Sequence, residues 1–256
     1  MVQVVADRTV AVVTRTAEAP LVEHLAETLP EGDEKVAAVR QLFDTVAPRY
    51  DLVNRIMTFR MDVGWRTRTV RELRLGRGSL VADLASGTGD FCRELQAQGL
   101  DPLGFDFSFG MLSAARTSAP LTQADALCLP VADGSVDGVT CGFALRNFRA
   151  LDPFFAELAR VVRPYGRIAL LEVAEPANPL LRWGHGLYFG KVVPVIGGLL
   201  SDGPSYRYLP KSVAYLPPPD EMLASLRAVG FTDVQRTLLS TGISQLITAT
   251  RSDGDA

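Results

Sequence analysis

One stretch constrains this chain more than any other: Val81-Ala82-Asp83-Leu84-Ala85-Ser86-Gly87-Thr88-Gly89-Asp90. An apolar run of β type, Leu80 to Ala85, breaks at Ser86 into Gly87-Thr88-Gly89, and apolar residues at helical spacing follow through Phe91, Leu95 and Leu100. The pattern predicts a strand, a tight glycine turn and a helix start. Glycine tolerates φ > 0 and has no Cβ, so a ligand can lie against the backbone, while free N–H groups at the helix start attract an anionic group. The expected product is a cradle for a small molecule.

What is missing narrows the ligand. A phosphate-binding P-loop needs Gly-Lys-Ser/Thr, and none follows Gly89; the dinucleotide fingerprint G-x-G-x-x-G fails at its third position, which is Cys92. About seventeen residues past Gly89, a second apolar run (Leu103, Gly104, Phe105) ends in Asp106, where such folds bind ribose hydroxyls through a carboxylate. A glycine turn with a ribose carboxylate and no phosphate grip suggests a nucleoside without phosphate, S-adenosylmethionine first among them. The plain alternative is a tight turn with an N-capping acid.

With 256 residues, 47% hydrophobic and 21% charged, the chain can bury one full core. Its net charge of -3 supplies no basic field of the kind that drives nucleic-acid binding. Cys92, Cys128 and Cys141 are widely spaced and His24 and His185 lie far apart, so neither a disulfide framework nor a metal site is expected, and a reducing cytoplasm fits. No apolar run reaches the roughly 18 residues of a membrane span. Val2 to Val13 lacks a basic leader region and reads as a poor signal peptide.

Residues 1–34 read as an extension without an assigned role, in which Thr9 to Val13 suits a strand and Leu21 to Leu29 a short helix. From Lys35, Val36, Val39, Leu42, Phe43 and Val46 recur at helical spacing until Pro48. Residues 35–75 are expected to form a helical cap, either packed plainly on the main domain or carrying Tyr50, Asp51 and Asn54 toward a pocket. Ser108 is placed to cap a helix, and Leu121 to Asp125 reads as a strand whose Asp125 suits an adenine amine. Val136 to Phe143 reads as a strand, Asp152 to Val162 as a helix, and Arg167 to Ala174 as a strand following a turn at Pro164-Tyr165-Gly166. Alternating strands and helices predict an α/β, doubly wound, Rossmann-like sheet. It ends differently, because Glu221 to Val229 is helical and the runs Phe231 to Leu239 and Ile243 to Arg251 read as an antiparallel hairpin about Ser240-Thr241-Gly242. One domain over 35–252 is expected.

The chain resembles the class I S-adenosylmethionine-dependent methyltransferases, and within them the ubiquinone/menaquinone C-methyltransferase family. The resemblance rests on Phe43-Asp44, Ala47 to Asn54, Trp65-Arg66, Asp83 to Asp90, Asp106-Phe107-Ser108 and Gly110-Met111-Leu112. It continues in Asp125-Ala126, Leu129-Pro130, Gly142 to Asn147, Leu171-Glu172 and Ser205 to Ser212. It implies S-adenosylmethionine on Asp83, Ala85, Ser86, Gly87 and Gly89, with Asp106 and Phe107 at the ribose, Met111 under the adenine, and Asp125 and Ala126 beside it. It also implies methylation of a ring carbon of demethylmenaquinol or a related reduced quinone. Glu172-Val173-Ala174-Glu175-Pro176 and Gly242 to Ile247 depart from the usual family segments, which keeps a small aromatic or polyketide metabolite as the alternative acceptor. A catalytically silent binding module is the third reading.

Methyl transfer from a sulfonium is an in-line displacement, so positioning matters most. A hydroquinone carbon becomes nucleophilic when a phenolic proton leaves, which requires a proton acceptor and a group that holds the phenolate. Arg146 and Asn147, beyond the fourth strand, suit the second task; Tyr50, or a water held by Asn147, suits the first. Glu172 reads as a base or an ion-pair partner, and His185 as structural. The apolar, Gly- and Pro-interrupted insertion within 175–217 reads as an irregular lid for a lipid-tailed acceptor that touches the membrane surface, with a homodimer contact or plain packing as alternatives.

Overall fold

In the computed structural model, which describes residues 32–200, 208 and 211–253, seven strands form one sheet. They are β1 (Leu80–Leu84), β2 (Asp101–Asp106), β3 (Leu121–Gln123), β4 (Val136–Gly142), β5 (Val162–Val173), β6 (Phe231–Leu239) and β7 (Ser244–Arg251). The order is β3-β2-β1-β4-β5-β7-β6. The first five run parallel, and β7 lies antiparallel to both β5 and β6, so the closing hairpin inserts its second strand against the sheet. The chain order reverses between β1 and β4, and in such sheets the crevice at that reversal receives ligands.

Alternation along the central strands builds two apolar layers. Ala82, Leu84, Ile168 and Leu170 face Phe154, Phe155 and Leu158, whereas Val81, Ala169 and Leu171 face Trp65, Phe91 and Leu95. That is the period of two expected of strands buried on both faces. The helices among the described residues include α1 (Gly32–Val46), α2 (Tyr50–Met57), α3 (Met61–Glu72), α4 (Asp90–Ala97), α5 (Phe109–Ser113), α6 (Leu151–Val161), α7 (Pro179–Leu187), α8 (Val193–Leu200) and α9 (Pro219–Ala228). A third apolar cluster, with Ala38, Leu42, Val53 and Met57 from α1 and α2, binds Val193 and Tyr208.

Several boundaries differ from the sequence reading. The first helix begins at Gly32, with Asp33 and Glu34 in its first turn where carboxylates favour the helix dipole. Pro48 ends it into a 3₁₀ turn (Ala47–Arg49) that leads directly into α2. The expected turn at Pro164-Tyr165-Gly166 lies inside β5: pairing jumps from Val136↔Val162 to Gly138↔Arg167, so the extra residues bulge, with Tyr165 at φ 62. Strand β3 stops at Gln123, leaving Asp125 in an exposed turn. The insertion is helical from Pro179 to Leu200 through a π turn at Tyr188–Val192, not irregular. Its Gly184, Gly186 and Gly190 have open space around them, so they weaken the helix without breaking it. The expected elements at Thr9 to Val13 and Leu21 to Leu29 lie outside the described residues.

Candidate active site

At the carboxyl ends of β1, β2 and β4 a cavity of about 290 Å³ opens beneath the cap. Its floor is the turn after β1. Ala85, Gly87 and Gly89 have φ of 52, 56 and 83, so the chain reverses sharply and presents backbone to the cavity. Gly87 stands where φ is 56, a conformation L side chains rarely adopt, and a Cβ there would meet only the flexible end of Met111, Cε, at 3.0 Å. Ser86 lines the cavity, while its buried hydroxyl, without a hydrogen-bond partner among the described residues, lies against Gly104 of β2.

Asp106 ends β2 and ties two loops together. Its Oδ2 accepts the Gly87 N–H (2.7 Å) and its Oδ1 the Ser108 N–H (2.8 Å). Each carboxylate oxygen keeps a second lone pair, so the group can still accept from a diol. Burial pushes its carboxyl up to about 6. Asp83 lies one layer deeper, fully buried, accepting from Thr140 Oγ1 (2.9 Å) and Cys92 Sγ (3.4 Å); burial pushes it up to about 7. Asp83 does not reach the cavity wall, and its carboxyl instead braces the strand under the turn. Phe107, Met111, Asp125 and Ala126 all line the cavity. Asp125 Oδ1 caps the Leu127 N–H (2.9 Å), and the Arg40 guanidinium lies 5.2 Å from the centre of the Phe107 ring. This side therefore offers a backbone turn, a diol acceptor and an apolar slot, which fits the S-adenosyl group chemically.

The cap closes the cavity through contacts that periodicity does not reveal. Asp44 of α1 accepts from Ser108 Oγ (2.5 Å) and from the Gly110 N–H (2.9 Å), so α1 caps the start of α5. Ser108 itself caps that helix by accepting the Met111 N–H at 3.0 Å, as its position predicts. Asp51 of α2 accepts from Thr88 Oγ1 in the glycine turn at 2.5 Å. Arg66 bridges Asp62 (2.6 Å) and Asp90 (3.1 Å), and Arg55 also reaches Asp90. The signals for Asp44 and Asp51 were the motifs Phe43-Asp44 and Tyr50-Asp51; their partners lie 64 and 37 residues away.

The cavity is also lined by the aromatic residues Phe43, Tyr50, Phe143 and Phe148 and by Asn147. Tyr50 packs edge-on to Phe43 and hydrogen-bonds Asn54; burial raises its hydroxyl above the ordinary tyrosine value, so it is neutral and able to donate near pH 7. Arg146 is buried but does not line the cavity. It pairs with Glu172 and donates to the Phe143 carbonyl (2.9 Å) and to Ser212 Oγ (3.0 Å). Glu172, fully buried, is thus the ion-pair partner of Arg146. Asn147 Oδ1 accepts from the Tyr208 hydroxyl at 3.1 Å, and its Nδ2 faces the Phe143 carbonyl at 3.5 Å. His185 packs on Phe189 in the helical insertion, where burial lowers its pKa.

Residues 31–251 match the model of the ubiE/COQ5 methyltransferase family. The chain is 40% identical over 228 residues to a demethylmenaquinone methyltransferase of Roseiflexus castenholzii, covering 86% of this chain and 96% of that one. It is 39% identical over 222 residues to the ubiquinone/menaquinone biosynthesis C-methyltransferase UbiE of Syntrophotalea carbinolica, covering 83% and 94%. Among solved structures, phosphoethanolamine N-methyltransferase 2 of Haemonchus contortus in complex with S-adenosyl-L-methionine superposes with a TM-score of 0.54 at 13% identity. That superposition covers 73% of this chain and 52% of the other, and it speaks to the fold alone.

Proposed function

The chain belongs to the ubiE/COQ5 methyltransferase family and is an S-adenosylmethionine-dependent methyltransferase, and from that premise we propose that it methylates a ring carbon of a reduced quinone, demethylmenaquinol first among the candidates. The observation that carries the reading is that one cavity is lined both by the glycine turn with Asp106 and by Phe43, Tyr50, Phe143, Phe148 and Asn147. Bound there, S-adenosylmethionine supplies an electrophilic methyl group for in-line displacement.

The residues then have separate tasks. Ser86, the Gly87 and Gly89 backbone, Asp106, Phe107, Met111, Asp125 and Ala126 hold the nucleoside side, and Asp83 and Ala85 set the turn that presents it. On the other side the quinol ring stacks among Phe43, Phe143 and Phe148. Asn147 and the neutral Tyr50 hydroxyl donate toward the quinol oxygen and favour its phenolate, while water at Asn147 takes the phenolic proton. Arg146 acts from behind as a positioning residue, fixing the Phe143 carbonyl and the turn that carries Asn147. The cap helices exclude bulk water from the cavity, which strengthens each of these interactions.

We read 35–252 as one methyltransferase domain with a cap over 35–75 and a lid within 175–217, and the apolar outer face as the seat of a lipid-tailed acceptor. Leu52, Ile56 and Phe59 of the cap and Leu180, Trp183, Leu187 and Val195 of the insertion are exposed. Tyr188 joins the two, its ring 5.7 Å from Phe59 and its hydroxyl donating to the Met57 carbonyl at 2.9 Å. Residues 176–200 contain Arg182 and Lys191 but no Asp or Glu, which suits an anionic lipid surface. Among the described residues no helix is long and apolar enough to cross a membrane. Flotation with anionic vesicles should carry the protein upward and Trp183→Ala should weaken it. A concentration-dependent dimer without flotation would give this face to a second copy.

The reaction is tested by incubating demethylmenaquinol with the protein and methyl-deuterated S-adenosylmethionine under reducing conditions in detergent. A labelled methyl on the ring supports the reading. Folded protein that binds the cofactor but labels only short, tail-free aromatics would transfer the assignment to a small metabolite.

A further inference from the structure

Tyr208 belongs to the Tyr206-x-Tyr208-Leu209 segment and has no part in the tasks assigned above. It is fully buried, with its ring in the cap cluster beside Leu42, Val53 and Val193, yet its hydroxyl leaves that cluster to reach Asn147 Oδ1 at 3.1 Å. One side chain thus connects the cap, the returning end of the insertion and the acceptor wall. Phenols carry one proton to donate, whereas an amide has an oxygen that only accepts and a nitrogen that only donates. The direction of the Tyr208 bond therefore selects which end of Asn147 turns which way. On the other side the Phe143 carbonyl, which can only accept, faces Asn147 Nδ2 at 3.5 Å. Inverting the amide would set Oδ1 against that carbonyl and leave the Tyr208 proton without its acceptor. Burial also holds the Tyr208 hydroxyl far above the ordinary tyrosine value, so it stays a donor.

We propose that Tyr208 is a positioning residue that locks the polarity of Asn147, spending the amide oxygen inside the protein so that Asn147 meets the acceptor as an N–H donor. This deepens, and rests on, the quinol reading. A donor there complements an oxygen gaining negative charge and discriminates against molecules that present only a donor, such as an ammonium group, at that point.

The test uses full-length protein carrying Tyr208→Phe, Asn147→Ala, the double substitution and Asn147→Asp. Tyr208→Phe keeps the ring in the cap cluster, so folding is preserved. Thermal unfolding without acceptor reads the bond directly: Asn147→Ala strands a buried hydroxyl, and removing that hydroxyl as well should restore part of the loss. A double variant that melts lower by the full sum of the two single losses overturns the link. Methyl transfer reads the consequence. Tyr208→Phe should lower kcat about tenfold with KM for the quinol within about twofold, and should add nothing on top of Asn147→Ala. Asn147→Asp keeps an acceptor for Tyr208 but loses the donor, so it should be as slow as Asn147→Ala; wild-type activity in that variant, or losses that multiply in the double, would refute the donor role. Wild-type protein inactive on quinol would sink the proposed acceptor, while the unfolding cycle would still decide the Tyr208–Asn147 link.

Discussion

Replacing Gly110 with alanine tests the docking of the cap by the sign of a stability change. Glycine to alanine at an unstrained helical position stabilises a protein by roughly 0.5–1 kcal/mol. At Gly110 the added Cβ would lie 2.8 Å from Asp44 Oδ1 and 2.9 Å from Asp44 Cα, so backbone has to move as well as a side chain. Overpacking of this kind costs about 1–3 kcal/mol. Retreat of Asp44 also threatens its bonds from Ser108 Oγ and the Gly110 N–H, each worth about 1.5–3 kcal/mol because the acceptor is charged. The clash outweighs the helix propensity, and Gly110→Ala should destabilise the chain by roughly 1–4 kcal/mol. For a protein of this size that is about 2–4 °C of melting temperature per kcal/mol. Gly64 of α3 has nothing within 4 Å of its added Cβ and serves as the control, where alanine should raise the melting temperature by about 1–4 °C. Circular dichroism melts of both variants, with calorimetric titration of S-adenosylmethionine, complete the test. The affinity should fall only for Gly110→Ala, because Asp44 seats α1 over the cofactor side. A Gly110→Ala protein as stable and as tightly binding as Gly64→Ala would refute the docking argument.

Other perturbations reach different parts of the site. Tyr50→Phe removes the donor and should lower kcat about 10- to 100-fold in steady-state assays while the affinity for S-adenosylmethionine in calorimetry is unchanged; unaltered kcat would remove Tyr50 from the chemistry. Arg146→Met leaves Glu172 buried without its cation and should cost about 3–5 kcal/mol in chemical denaturation. Adding Glu172→Leu should recover much of that stability but not activity, since the Phe143 carbonyl stays untied. Asp83 and Asp106 are raised to about 7 and about 6, above the roughly 3.9 of an unfolded aspartate. A raised carboxyl contributes stability below the unfolded value and loses it as pH rises through the folded one. Melting temperature should therefore fall between pH 4 and pH 7 through these two groups, and Asp83→Asn should flatten the upper part of that slope. A slope identical in Asp83→Asn would assign it elsewhere.

The cofactor side was legible because its information is local. A strand, a turn and a helix start fall within Leu80–Ala97, and the conformations of Gly87 and Gly89 are demanded by the turn itself. Asp106 could be placed because it ends the neighbouring parallel strand, in register with β1. Ser108 declared itself by its distance from the next apolar residues. Where local chemistry misled, a longer-range force had won. Pro164-Tyr165-Gly166 has turn composition, yet pairing on both sides of it keeps it in β5 as a bulge. The glycines of the insertion signal irregularity, yet that segment has the cap to lean on, and Tyr188, Phe189 and Ile196 pack against it.

The acceptor side was legible only as motifs, because its meaning resides in pairs far apart in the chain. Arg146 meets Glu172 and Ser212 at separations of 26 and 66 residues, and Asn147 meets Tyr208 at 61. No periodicity couples such positions. An arginine beside an asparagine past a strand end looks the same whether its guanidinium meets the substrate or a buried carboxylate. Burial separates the two cases: a fully buried Glu172 requires a cation at contact distance, and Arg146 meets that requirement. Once its guanidinium is committed there, the role left to Arg146 is to hold the turn, and Asn147 becomes the polar group of that pair that faces the cavity. The electrostatics of the wall thus follow from the need to neutralise one carboxylate behind it, and that need is also what makes Arg146→Met a stability variant before it is a catalytic one.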